Sequence, residues 1–274
     1  MNWSLNHDSI KGIKKPENQD RVVAEELGPG VMLAAIFDGH GKTSDVANYC
    51  ARTIRHHLAH VREGSAQEYL ITAYQRLACE TVGAETSGST ASTVLLFDSG
   101  LVVSAVLGDS LILVKQNGAI WQSPDHNVVS NEKERMRVIA RGGEYRDGYI
   151  FSPKTGARHQ VTRAFGDMHM HGILSSQPEI FTHRVEPGEW VVVMSDGIVD
   201  PTWATYPDDK AKLVSRVGRG CDAKELTPIL YSRKGDDASA IICRFNPPEE
   251  VRLPVPRALL RSQQFELPRA EVAW

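Results

Sequence analysis

A chain of 274 residues that is 41% hydrophobic and 24% charged carries enough apolar side chain for one sizeable core, which excludes a disordered or fibrous protein. Its 31 Lys and Arg against 34 Asp and Glu leave a net charge of -3, too weak a field to gather nucleic acid or an anionic membrane, so an acidic ligand must be caught locally. The longest apolar runs fall far short of the roughly 20 residues that span a bilayer. The first residues lack the basic and apolar regions of a secretion signal, which predicts a cytoplasmic protein, and the four scattered cysteines, with no Cys-x-x-Cys pair, read as reduced and mostly buried thiols.

Along the chain, the first strong strand signal is Val31–Phe37, which follows the turn Gly28-Pro29-Gly30. Val46, Cys50, Ile54 and Leu58 then recur every four residues behind a Thr43/Ser44 cap, and Leu70, Ala73, Tyr74 and Leu77 do so behind a Ser65-x-x-Glu68 capping box. That spacing predicts two successive amphipathic helices. Three β-branched runs follow, at 92–97, Leu101–Leu107 and Leu111–Gln116, punctuated by Asp98-Ser99-Gly100 and Asn117-Gly118. A third helix is predicted over 131–141, from Asn131-x-x-Glu134 to the stop Gly142-Gly143. The turn Pro187-Gly188 precedes Trp190–Met194, and helices near 207–217 and 223–232 precede the last strand, Ala238–Phe245. Short turns favour antiparallel hairpins over βαβ crossovers, and paired amphipathic helices suit two face-to-face sheets covered on their outsides. Asn246-Pro247-Pro248-Glu249-Glu250 ends the pattern, dividing one domain, residues 1–245, from a Pro-containing tail, residues 246–274, that is flexible or docks, its Phe265 and Trp274 being the docking candidates.

The informative feature is where the aspartates fall. Apolar strands run into Asp38-Gly39-His40-Gly41, Gly108-Asp109-Ser110 and Ser195-Asp196-Gly197, while Gly235-Asp236-Asp237 opens the final strand. Any one of these is a common turn. Four of them, with Asn18-Gln19-Asp20, would bring several carboxylates to one rim if the strand ends meet, and their repulsion would call for divalent cations. Oxygen-only ligands select Mg²⁺ or Mn²⁺ over zinc, and two such ions can activate a bridging water for in-line displacement at phosphorus. No Gly-x-x-x-x-Gly-Lys-Ser/Thr loop or Cys-x5-Arg run offers a nucleotide cradle or a cysteine nucleophile. The chemistry implied is phosphoester hydrolysis.

These residues resemble the metal-dependent Ser/Thr protein phosphatases of type 2C. The matching stretches are Glu17-Asn18-Gln19-Asp20-Arg21, Phe37-Asp38-Gly39-His40-Gly41, Ser87-Gly88-Ser89-Thr90-Ala91, Gly108-Asp109-Ser110, Asp125-His126 with Glu132-Lys133-Glu134-Arg135, Thr162-Arg163-Ala164-Phe165-Gly166-Asp167, Met194-Ser195-Asp196-Gly197 and Asp236-Asp237-Ala238-Ser239. The resemblance implies an α+β fold, a four-layer α/β/β/α sandwich in which two central antiparallel sheets are flanked by helix pairs. It implies that Asp38 bridges two Mg²⁺ or Mn²⁺ ions around a hydroxide, with the Gly39 carbonyl on one ion and Asp196 and Asp236 completing the other site. Asp20 would hold metal-bound water, Asp109 with Asp196 would form a weaker third site, and His40 would donate the proton to the leaving serine or threonine.

Two positions depart from the family pattern. Gln19 stands where an acid is usual, and Lys15 stands where an Arg commonly grips the substrate phosphate, so Lys15 supplies charge without the bidentate fork. The short segment 168–174 replaces a longer flap that shapes substrate choice; its His169 and His171 read as an exposed mobile loop rather than a small metal site. His56, His57 and His60 read as a solvated helix face, and Arg163 as a brace. The resulting expectation is a cytoplasmic, monomeric enzyme acting on phosphoproteins supplied by a Ser/Thr kinase, without nucleic acid or membrane. The rival expectation is a pseudophosphatase that binds phosphoproteins, with Gln19 and Lys15 as marks of decay.

Overall fold

The computed structural model describes residues 2–227 and 235–246. Three strands, β1 (Trp3–Ile10), β2 (Arg21–Gly28) and β3 (Val31–Phe37), lead through the short β4 (Gly39–Gly41) to helices α1 (Asp45–Leu58) and α2 (Ala66–Glu80). The chain returns through β5 (Ser87–Ser89), β6 (Ala91–Phe97), β7 (Leu101–Leu107), β8 (Leu111–Gln116) and β9 (Ala119–Gln122) to α3 (Glu132–Ala140). Four short strands, β10 (Glu144–Arg146), β11 (Tyr149–Phe151), β12 (Arg158–His159) and β13 (Phe165–Gly166), precede β14 (Glu179–Arg184), β15 (Trp190–Met194), α4 (Tyr206–Gly218) and β16 (Ala238–Phe245).

Two five-stranded antiparallel sheets result, ordered β1-β16-β15-β8-β9 and β14-β7-β6-β3-β2. Side chains alternate across each strand, so the two faces of each sheet enter different cores. Ala34 and Ile36, Val94 and Leu96 meet Ile112, Val114, Val191, Val193, Ile241 and Cys243 in the core between the sheets. The other face of the second sheet, through Leu33, Phe37, Leu95 and Leu107, packs on Cys50, Ile54 and Leu58 of α1 and Leu70, Ala73 and Leu77 of α2. Across the molecule, Leu111, Leu113, Val192 and Met194 pack on Leu213 and Val217 of α4. Each fully buried Leu or Val contributes about 1.5–3 kcal/mol, so the periodicity that defines these helices is also what fastens them to the sheets.

Some local expectations are corrected. Neither Ser44 nor Ser65 caps its helix through its side chain: Ser44 Oγ accepts from Arg21 and Asn48, and Ser65 Oγ donates to the Arg62 carbonyl. Asn131 does cap α3, accepting from the Glu134 amide at 3.2 Å. The Pro187-Gly188 turn closes no hairpin, because β14 pairs with β7 in one sheet and β15 with β8 and β16 in the other, so the turn carries the chain between sheets. The predicted helix at 223–232 begins as a 3₁₀ turn, Ala223–Glu225, and its end, with the tail at 247–274 and its Phe265 and Trp274, lies outside the described residues. Of the four free cysteines, Cys50 and Cys243 are buried, while Cys79 is exposed and Cys221 half-buried. No helix among the described residues is long and apolar enough to cross a membrane.

Candidate active site

Antiparallel pairing gathers the aspartates. In such a sheet the residue leaving one strand sits beside the residue entering its neighbour, so Asp38 after β3 adjoins Asp20 before β2, whose Arg21 pairs with Phe37. Thr90, entering β6, donates its amide to the Asp38 carbonyl at 2.9 Å, and its hydroxyl meets Ser110 Oγ at 2.7 Å, which ties in the turn after β7 that carries Asp109. In the facing sheet, Met194 pairs with Ala240, which brings Asp196 beside the entry to β16 and therefore beside Asp236. Gly197 is obligatory there: a Cβ at that position would lie 1.8 Å from the Asp237 carbonyl oxygen. Asp237 itself clamps the entry strands, accepting from the Gly12 and Gln19 amides at 2.8 Å each.

The electrostatics report the crowding. Desolvation, then the charges of Asp20, Asp196, Asp109 and Asp236, hold the Asp38 carboxyl well above its usual range. Burial pushes Asp20 up to about 7 against the hydrogen bonds of Ser239 and Ser195, the latter donating at 2.8 Å, and its Oδ1 is buried without a hydrogen-bond partner. Asp125, quoted above only as part of a motif, joins the cluster: burial and then the charge of Asp109 push it up to about 8 despite a hydrogen bond from Ser130, and its Oδ1 also lacks a partner. Oxygen-rich, mutually repelling and partly orphaned, these side chains fit hard divalent cations.

Among the described residues, Lys15 and His40 bring positive charge to the cluster. Lys15 Nζ lies 2.9 Å from Asp236 Oδ1 and 4.0 Å from Asp237 Oδ2. Burial works to lower its pKa, but the hydrogen bond and charge of Asp236 outweigh it and the value is raised. His40 Nε2 contacts Asp167 Oδ2 at 2.6 Å. Burial opposes charging of His40, yet the charge and hydrogen bond of Asp167 prevail and raise it, which favours the protonated ring. Gly88, paired with His40 across β4 and β5, makes this contact possible: a Cβ there would lie 2.2 Å from Asp167 Oδ2 and 2.5 Å from His40 Nε2. Asp167 stands in the left-handed region at φ 51°, a conformation that short polar side chains tolerate better than most.

Sequence reasoning assigned no role to Asp167, although Gly166-Asp167 was among the matched stretches. Nor did it single out His159, which lies on the two-residue β12 and which burial lowers to about 4. Arg163 braces as expected, reaching Glu134 at 2.8 Å and Glu179 at 2.7 Å. His57 pairs with Glu80 at 3.0 Å while His56 and His60 are exposed. Segment 168–174 is less open than expected: Met170 and Ile173 are buried against Val128, Val138 and Ile150. His171 is exposed, and His169 turns inward to His159.

The family model of Protein phosphatase 2C matches residues 18–205. The chain belongs to the protein phosphatase 2C family. Among its relatives, the Arabidopsis thaliana protein named Probable protein phosphatase 2C 58 is 30% identical over 256 residues, covering 86% of each chain. Probable protein phosphatase 2C 22 of the same plant is 29% identical over 257 residues, and these span 85% of this chain but 63% of that relative's length. Two solved structures show the protein phosphatase 2C fold. A C. elegans sex determining protein superposes with a TM-score of 0.71 at 23% identity, covering 90% of this chain and 66% of that one. The catalytic domain of the serine threonine protein phosphatase PstP in complex with 2 manganese ions gives 0.60 at 18% identity, covering 89% and 99%.

The raised carboxylates have a consequence for stability. An acid whose folded pKa exceeds its unfolded value binds more protons when folded, so it lowers stability as pH rises from the unfolded value, about 4, toward the folded one. With Asp20 near 7 and Asp125 near 8, the metal-free protein should therefore melt several degrees lower near pH 8 than near pH 5. Excess Mg²⁺ should raise the melting temperature most at the alkaline end. Thermal melts in chelator and in Mg²⁺ across this range check it; a metal-free melting temperature that rises with pH contradicts it.

Proposed function

We propose that the chain hydrolyses phosphoserine and phosphothreonine in proteins with the help of Mg²⁺ or Mn²⁺. The observation that carries this reading is the convergence of Asp20, Asp109, Asp196 and Asp236 on Asp38, a charge density that hard cations would relieve. Asp38, the Gly39 carbonyl, Asp196 and Asp236 would hold two ions, and Asp109 with Asp196 a third, weaker one. Bound ions supply a water acidic enough to attack at neutral pH and offset the charge of the phosphoryl oxygens.

The protein's own groups do the rest. Asp20, its Oδ1 lacking a partner, is placed to orient the attacking water by accepting its hydrogen bond. Lys15 pairs with Asp236, and with Asp236 engaged as a metal ligand its ammonium would be available to a substrate phosphate, as a point charge rather than a fork. Protonated His40, its Nε2 held by Asp167, would give its Nδ1 proton to the departing seryl or threonyl oxygen. Retention of these residues speaks against a pseudophosphatase. The test is phosphate release from a phosphothreonine peptide in Mn²⁺, which should stop with excess chelator; release that persists in chelator contradicts the reading.

A further inference from the structure

Beside the carboxylate rim, three side chains from separate elements converge: His40 on β4, His159 on β12 and Asp167 after β13 each place a potential ligand atom within 4.8 Å of the others. The Asp167 side chain is only 1% exposed. Its Oδ2 is taken by His40, whereas Oδ1 is buried without a hydrogen-bond partner and faces His159 Nε2 at 3.5 Å. His169 completes the group, its Nε2 lying 3.2 Å from His159 Nε2 with the two rings stacked. The His159–Asp167 and His159–His169 separations, 3.5 and 3.2 Å, lie near the edge length of a tetrahedron with zinc bonds of 2.0–2.1 Å, about 3.4 Å, while the 2.6 Å His40–Asp167 contact is a hydrogen bond that an ion would replace by drawing the two atoms apart. The set is rich in nitrogen, unlike the oxygen-only rim, and nitrogen ligands favour zinc over Mg²⁺ or Mn²⁺. Side chains of His40 and His159 are 21% and 15% exposed, so an ion can reach them.

We propose that His40, His159 and Asp167, with His169 at its edge, form a zinc site distinct from the Mg²⁺/Mn²⁺ rim, through which zinc inhibits the enzyme. Zinc on His40 Nε2 uses the lone pair that otherwise carries the proton shared with Asp167, releases that proton to solvent, and leaves Nδ1–H on a neutral metal-bound imidazole, a far weaker acid than imidazolium. Hydrolysis that needs a proton donor slows, even with the rim fully loaded. This inhibitory consequence rests on His40 being the proton donor; binding does not.

The test uses the full chain in excess Mg²⁺, with cobalt(II) as the probe, since tetrahedral cobalt absorbs strongly in the visible and octahedral cobalt on oxygen ligands only weakly. The parent should develop an intense band at one equivalent, and zinc should bleach it. His159→Ala should weaken cobalt and zinc binding at least tenfold, with circular dichroism verifying its fold. A parent that gives only weak octahedral absorption overturns the site, as does equal affinity in a folded His159→Ala. Because binding is read without turnover, failure of the phosphatase reading would leave the cobalt result unchanged, and the two failures are separable. Inhibition of phosphopeptide hydrolysis in Mg²⁺ should follow the same zinc affinity; inhibition that Mg²⁺ reverses by competition would place zinc in the rim and overturn the mechanism.

Discussion

Asp38→Asn should abolish phosphopeptide hydrolysis, lowering the rate by roughly 10³-fold or more, while the protein folds and its metal-free form melts no lower than the parent. Asp38 receives the charges of Asp20, Asp196, Asp109 and Asp236 together, so it is the carboxylate a cation pair would share. Losing that ligand removes several kcal/mol of charge stabilisation in the transition state. The amide keeps the shape and relieves repulsion, which is why stability should not suffer. Rates measured in saturating Mn²⁺, with melting curves in chelator, check both halves. A parental rate would remove Asp38 from the chemistry.

His40→Ala should separate two kinds of substrate. A seryl or threonyl oxygen leaves as a strongly basic alkoxide unless it is protonated, whereas nitrophenolate leaves unaided. General acid catalysis is worth typically 10²–10⁴-fold, so the variant should lose about that factor on phosphopeptides and far less on p-nitrophenyl phosphate. Asp167→Asn should show the same pattern more weakly, since it removes the charge that favours the protonated ring but leaves the ring itself. Parallel losses on both substrates, at equal metal occupancy, would mean that His40 only shapes the Gly39–Gly41 segment.

The six strands legible in the sequence, β3, β6, β7, β8, β15 and β16, are the six interior strands of the two large sheets, and the four that were not, β1, β2, β9 and β14, are their edges. Interior strands are buried on both faces and read as continuous apolar runs, such as Ala91–Phe97, which is buried throughout. Edge strands carry polar residues to solvent, so Trp-Ser-Leu-Asn-His-Asp-Ser-Ile of β1 lacks a clean alternation. The carboxylates at strand ends were legible for a related reason, because a strand end fixes where the next residue points. Asp167 and His159 were hidden because their partners are remote in sequence: Asp167 reaches back 127 residues to His40, a contact that the absent side chain of Gly88 permits. The caps expected at Ser44 and Ser65 do not form because other partners take the hydroxyls: Arg21, remote in sequence, and Asn48 donate to Ser44 Oγ, while Ser65 Oγ turns back to the Arg62 carbonyl.

Equilibrium titration of metal-free protein with Mn²⁺ decides whether the carboxylates gathered around Asp38 hold a pair of hard divalent cations. Two tight equivalents are expected in the parent, with a weaker third in excess, and tight binding should be lost in both Asp38→Asn and Asp236→Asn. Undiminished Mn²⁺ binding by Asp38→Asn, or a parent that takes up no Mn²⁺, would contradict such a pair.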